Sequence, residues 1–357
     1  MSSIIYVLHE RESRSHFLAL ETYANEAGRI IKFREFSISR GIIKGLITLN
    51  SKLLFKQILN LTFLFSTLFS KNKTIILGIA PYDWRLYFLR WALKGHKVFY
   101  FTSWADWSGD FFPKKKLGNH YQLRKVWKQF LENEIFGIFS VTKTGLLNLQ
   151  KHYSIKCSCS VVNHAFNDRN ITNNTELVGS KKLRLIYVGR LIKNKGIAEI
   201  LDLILTLDSK LVELTIVGDG DLVDLVTTYS KQYSNITYLG FINSQRKLFD
   251  AYKQHDVQLL FSRKTELWEE LFGMVIVEAM ANGVITISTN HAGPLEIIEN
   301  GVNGFIIPDD ENLVASAKDI VLHEMVNLQA LKKRAIRESE KYESNQVALK
   351  WKKLLDE

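Results

Sequence analysis

The sequence predicts an α/β protein of two doubly wound parallel-sheet domains, each presenting its strand ends to a central cleft. Three observations carry that expectation. The chain has 357 residues, enough for two domains of ordinary size. Short apolar runs alternate with stretches long enough for helices along the whole length, the pattern of parallel sheets covered by helices on both faces. One polar, asparagine-rich segment divides the pattern in two.

In chain order, residues 3–8 (SIIYVL), 74–79 (TIILGI), 97–101 (KVFYF) and 137–141 (GIFSV) read as buried strands of the first domain. Residues 41–70 form its most apolar stretch, with Lys44, Lys52 and Lys56 inside it. Its longest uncharged segment, residues 57–70, has 14 residues, short of the roughly 20 that span a membrane. One or two core-facing helices are expected there; an amphipathic helix lying on a membrane surface is the alternative. Residues 167–182 (NDRNITNNTELVGSKK) read as the connection, placing a first domain over 1–167, a linker over 168–182 and a second domain over 183–339. Strands are expected at 183–188 (LRLIYV), 213–217 (ELTIV), 235–239 (NITYL), 257–261 (VQLLF), 283–288 (GVITIS) and 304–307 (GFII). The charged tail carries Val347, Ala348, Trp351, Leu354 and Leu355 on one helical face, so a helix over about 340–357 is expected to pack, back on the first domain.

Composition narrows the function classes. Hydrophobic residues at 46% and charged residues at 24% exclude a disordered or fibrous chain. Residues 1–170 carry a net charge of +14 and residues 171–357 one of −4, giving the chain its +10; the first half therefore suits an anionic surface. Lys114, Lys115, Lys116, Arg124, Lys125 and Lys128 interleave with Phe111, Phe112, Tyr121 and Trp127, a mixture that suits lipid headgroups as well as a solvated face. No signal peptide pattern opens the sequence. The two cysteines, Cys157 and Cys159, make neither a disulfide framework nor a zinc site, which suggests a reducing compartment.

Three motifs carry chemistry. In residues 187–196 (YVGRLIKNKG) a strand runs into Gly189, then Arg190, then Lys195 beside a helix start, the outline of a site for a diphosphate. Residues 217–222 (VGDGDL) give a tight turn at Gly218 but lack the third glycine of a dinucleotide fingerprint. In residues 269–283 (EELFGMVIVEAMANG), Glu270 precedes and Glu278 lies within a helix opening at Phe272, Gly273 and Met274. Amides at such a start meet phosphate and the carboxylates accept sugar hydroxyls. Glu278 sits among apolar neighbours, a placement that predicts a polar partner, with a lysine salt bridge as the bland choice.

These motifs, with residues 239–241 (LGF), 290–296 (NHAGPLE) and the following NGVNGFIIP, resemble the retaining GT-B glycosyltransferases of family 4, clearly over about residues 183–310. The resemblance implies that Arg190 and Lys195 neutralise a donor diphosphate without metal or other cofactor, that Glu270 contacts the donor sugar and Glu278 the ribose, and that Phe241 and Ile242 border the base. Gly189, Gly218 and residues 271–274 would complete the donor site. It further implies an acceptor-binding first domain and front-face transfer. There the chain departs from the family: residues 8–16 (LHERESRSH) replace a glycine pair, and residues 101–107 (FTSWADW) hold no histidine. His9, His16, Ser103 and Asp106 are the acceptor-side candidates, His164 serves a local turn, and the insertion 264–269 (KTELWE) borders the sugar pocket. The expected partners are a nucleotide sugar (UDP- or GDP-linked), a lipid-linked or oligosaccharide acceptor and an anionic membrane surface. The expected place is the cytoplasm, peripheral on the inner membrane face, within bacterial surface-polysaccharide synthesis. A non-catalytic GT-B scaffold and a nucleic-acid-binding protein are the alternatives; no arginine-rich arm or finger motif favours nucleic acid.

Overall fold

The computed structural model describes residues 3–11, 14–109, 120–167, 182–266 and 268–356. The expected linker, apart from its ends, and the basic cluster at Lys114, Lys115 and Lys116 lie outside the described residues. The chain divides into two compact units, Met1–Ala165 with Ser344–Glu357, and Phe166–Glu343.

The first unit holds a six-stranded parallel sheet of β1 (Ile4–His9), β2 (Ile30–Glu35), β3 (Thr74–Gly78), β4 (Lys97–Thr102), β5 (Gly137–Ser140) and β6 (Ser158–Val161), ordered β2-β1-β3-β4-β5-β6. The sequence reading found four of these. β2 and β6 are edge strands: β2 mixes Lys32, Arg34 and Glu35 with isoleucines at partial exposure, and β6 reads Ser-Cys-Ser-Val. An edge strand needs no continuous apolar run, so it escapes a search for one. One core layer is aromatic, with Tyr82, Tyr100, Trp107, Trp127 and Phe130 buried together. On the other face the helix Ser344–Leu355 inserts Trp351, whose ring lies 4.2 Å from that of Phe139 and stacks on Phe101 at 5.8 Å. All five residues of its apolar stripe are buried. Tyr23 donates to Asp356 Oδ1 at 2.6 Å, and Arg29 pairs with the same carboxylate. Cys157 and Cys159 are free thiols.

Helices Ile38–Ile47 and Ser51–Leu68 occupy the apolar stretch; the second turns Phe63 into the core and packs Leu64 against it as expected, but the rest of its buried side is polar and most of its apolar residues lie outside. Gln57, Asn60 and Thr67 are 1% exposed, whereas Ile47 is 77%, Phe55 62% and Phe65 62% exposed. The polar side faces inward because it has bonds to make there: the Glu35 amide donates to Asn60 Oδ1, and Gln57 donates to the Glu35 carboxylate. No helix among the described residues is long and apolar enough to cross a membrane.

The second unit holds β7 (Leu183–Val188), β8 (Val212–Val217), β9 (Ile236–Tyr238), β10 (Val257–Leu260), β11 (Ile285–Thr289) and β12 (Phe305–Ile307), ordered β12-β11-β10-β7-β8-β9 and parallel throughout. All six sit where apolar runs predicted them; the inner strands β11, β10, β7 and β8 are flanked on both sides, which requires such runs, and the edge strands β9 and β12 keep short ones. The chain builds outward from β7 through β8 to β9, then returns to lay β10 against the other side of β7. That reversal leaves a crevice at the carboxyl ends of β7 and β10, where open α/β sheets bind ligands.

Candidate functional site

The loops after β7 and β10 meet at this switch point. Lys195, in the short turn Lys193–Lys195 that precedes the helix Ile197–Leu205, forms an ion pair with Glu270 Oε2. Both side chains are nearly enclosed, at 12% and 14% exposure. Removing one partner of so enclosed a pair typically costs about 3–5 kcal/mol, because the other charge is stranded. Ser262 Oγ donates to the same carboxylate at 3.3 Å, and the Lys195 ammonium lies 4.7 Å from the centre of the Trp268 ring. Arg190 is exposed and has no carboxylate within ion-pair distance among the described residues. Its carbonyl accepts from the Tyr187 hydroxyl at 2.7 Å. Burial first, then the nearby Glu270 charge, raises the Tyr187 pKa, so this phenol stays protonated between the two motifs.

Backbone shape fixes the rest of the rim. A Cβ at Gly218 would stand 1.8 Å from the Gly189 carbonyl oxygen, so glycine is what lets the turns after β7 and β8 touch. Gly273 takes a left-handed φ of 90° and starts the helix Met274–Ala281. Phe272 is buried with its ring 5.9 Å from Tyr342, so only its backbone is offered to a ligand. Met274 is half-buried, Phe241 is 70% exposed, and Ile242 packs on the core cluster of Ile186, Val217 and Tyr252.

Glu278 departs from expectation. No side chain among the described residues bonds its carboxylate, neither the polar partner nor the lysine that the sequence suggested. Burial alone lifts its pKa to about 7, so the penalty for an enclosed charge is met by holding the proton. Burial, followed by the charge of Glu278, in turn raises the pKa of Tyr252. Tyr252 donates to the Val275 carbonyl at 3.3 Å and shares a core cluster with Ile186 and Val188 of β7.

Several residues of this site were not singled out from the sequence. The Glu270 amide donates to His291 Nδ1 at 3.0 Å, so the ring proton sits on Nε2, which faces Asp309 Oδ2 at 3.2 Å. Asp309 also pairs with Arg263 at 3.0 Å, and Gly293 donates its amide to the Glu270 carbonyl. His291 and Gly293 stand in the quoted NHAGPLE segment, but nothing local marks them as supports for a residue 21 positions earlier. The insertion at 264–269 places Trp268 beside Lys195 and ties Lys264 to Glu269.

In the first unit, His9 and His16 come together. The His16 ring lies 4.5 Å from that of buried His164, and desolvation, then His9, lowers the His16 pKa. Burial, then His16, lowers that of His164 to about 3, so this ring stays neutral. Asp106 is occupied by a turn, its Oδ1 accepting the Ser108 amide at 3.0 Å. Ser103 is half-buried, and no hydrogen bond among the described residues joins it to the histidines. Not singled out was Arg85, which pairs with Asp83 and Glu10 and donates to Ser37.

Comparison with known proteins bears on both units. Residues 168–341 match the family model described as Glycosyl transferases group 1. Over 147 residues the chain is 32% identical to an uncharacterized 41.2 kDa protein in the cps region of Klebsiella pneumoniae, covering 41% of this chain and 38% of that protein. It is 32% identical over 143 residues to an uncharacterized glycosyltransferase of Methanocaldococcus jannaschii, covering 39% and 35%. The aligned segments thus span under two-fifths of these relatives' lengths. Among solved structures, Anabaena HepE in complex with UDP matches over 99% of both chains with a TM-score of 0.66 at 14% identity. The fold is therefore GT-B, and residues 168–341 are similar to the glycosyltransferase group 1 family.

Proposed function

We propose that the chain transfers a sugar from a nucleoside-diphosphate donor to a lipid-linked saccharide at the inner membrane face, with retention and without a metal, in surface polysaccharide synthesis. The observation that carries this reading is the enclosed Lys195–Glu270 pair at the β7/β10 switch point, with exposed Arg190 on the same rim. Glycosyl transfer places negative charge on the departing diphosphate and positive charge on the sugar. Arg190 and Lys195 face the first; Glu270, held through its amide by His291, faces the second. Glu278 is poised to accept ribose hydroxyls, and Phe241 with Ile242 borders the base. The bond from the sugar's anomeric carbon to the phosphate oxygen breaks as the acceptor oxygen bonds that carbon on the same face, and the acceptor proton passes to the departing phosphate. HepE and pneumococcal GtfA in their UDP complexes favour a UDP donor over GDP, and the Klebsiella relative of the cps region favours a polysaccharide pathway.

The test is a thermal-shift series with UDP, GDP, ADP and their sugars, since a ligand at 100 times its Kd adds about 2.7 kcal/mol of stability. UDP should give the largest shift, and donor hydrolysis should survive EDTA and fall about a hundredfold or more in Glu270→Gln. A panel in which no nucleotide shifts the transition refutes the donor site, and a nucleotide shift without turnover on any acceptor leaves a silent scaffold.

A further inference from the structure

At the carboxyl ends of β1 and β2 the first unit has a cavity of about 620 Å3. Five cations line it: Arg11, Arg14, Arg40, Lys44 and Lys56. Its two carboxylates are already engaged, Glu10 by Arg85 at 2.9 Å and Glu35 by Lys56 at 3.0 Å. Among the described residues no carboxylate lies within ion-pair distance of Arg11, Arg40 or Lys44. Among the described residues the lining of the cavity thus holds more cations than carboxylates, the condition that draws in a phosphate or diphosphate.

The walls of this cavity are the same two helices whose apolar sides are turned outward. Arg40 and Lys44 stand on the helix that exposes Leu46 and Ile47, Lys56 on the one that exposes Phe55, Ile58 and Phe65. In the helix Ser51–Leu68 the buried side chains are Gln57, Asn60, Phe63 and Thr67, so polar groups take up most of the inner face while Phe55, Ile58 and Phe65 stay outside, a placement that suits a helix whose outer medium is apolar. Between residues 36 and 82 there is no aspartate or glutamate, against six lysines and arginines. A charge pattern of that sign suits an anionic bilayer rather than a protein of ordinary acidity.

We propose that the cavity holds the phosphate or diphosphate of a membrane-embedded lipid, the acceptor's own linkage, while the helix faces around Ile47, Phe55 and Phe65 sit among its acyl chains. This rests on the sugar-transfer reading for the lipid's role as acceptor, but the lipid site is testable without it. The full chain should float with vesicles of equal parts phosphatidylcholine and phosphatidylglycerol and not with phosphatidylcholine alone. The triple variant Arg11→Ala, Arg40→Ala, Lys44→Ala should lose about a hundredfold in vesicle affinity, the loss expected of three basic residues at an anionic surface. The triple variant Ile47→Ser, Phe55→Ser, Phe65→Ser alters exposed side chains only, so it should fold and yet fail to float. Farnesyl diphosphate in titration should bind at least about tenfold tighter than inorganic pyrophosphate, because only the former reaches the apolar faces. Equal binding of the two, or flotation unchanged in either triple variant, overturns the proposal; so does a wild type that ignores anionic vesicles, which would leave the face to a protein partner. UDP-induced stabilisation of the wild type, read separately, bears on the sugar-transfer reading alone.

Discussion

Glu278→Gln should make the protein more stable while weakening its hold on the donor. The folded carboxyl keeps its proton to about pH 7, while the ordinary value for the unfolded chain is 4.5. Between those values the folded form binds the extra proton, so stability falls as pH climbs through the window. At roughly 1.4 kcal/mol per pH unit, the cost of carrying this side chain grows from about 1 kcal/mol at pH 5 to about 3 kcal/mol at pH 8. Glutamine does not titrate, so the variant's advantage should follow the same curve. Urea denaturation of both proteins at pH 5, 6.5 and 8, without ligand, reads it directly. In UDP titrations at pH 8 the variant should bind about tenfold to a hundredfold more weakly, having lost hydrogen bonds from the ribose to a charged acceptor. A stability difference that is flat with pH, or that favours the wild type at pH 8, would mean the carboxylate has a partner inside the protein and would refute the argument.

Two further outcomes follow from the rim. Arg190→Ala removes an exposed side chain that has no ion pair among the described residues, so stability should stay within about 0.5 kcal/mol while UDP affinity drops about tenfold and loses part of its salt dependence, as titrations at two ionic strengths would report. Gly218→Ala forces a Cβ to within 1.8 Å of the Gly189 carbonyl, so the turns must separate; urea denaturation should register a loss of about 2–4 kcal/mol and UDP binding should disappear.

The second unit was legible because its signals are local. Its strands are mostly buried and announce themselves as apolar runs, and Gly189, Arg190, Lys195 and Gly218 follow strand ends by a few residues. Family resemblance assigned Lys195 to the diphosphate and Glu270 to the sugar, but their ion pair, which crosses 75 positions, had no signal in the sequence. The supports His291 and Asp309 were invisible for the same reason, since nothing near them in sequence says what they hold. The first unit was less legible where its surfaces reverse the usual rule. Half-exposed β2 lacked an apolar run, and the helix Ser51–Leu68 has hydrophobic residues all round, so composition alone could not tell that its amides face inward. Glu278 was read as a half-buried acid, and the inference of a partner overlooked the cheaper remedy of retaining a proton.

The insertion of Trp351 against Phe101 and Phe139 has a consequence for biosynthesis. The sheet that begins at Ile4 lacks its last covering helix until residues 344–355 have left the ribosome, by which time every strand of the other unit has already emerged. The lobe started first is thus the one finished last, and a nascent chain stopped at Glu343 would present three phenylalanines, Phe17, Phe101 and Phe139, to water where an indole belongs.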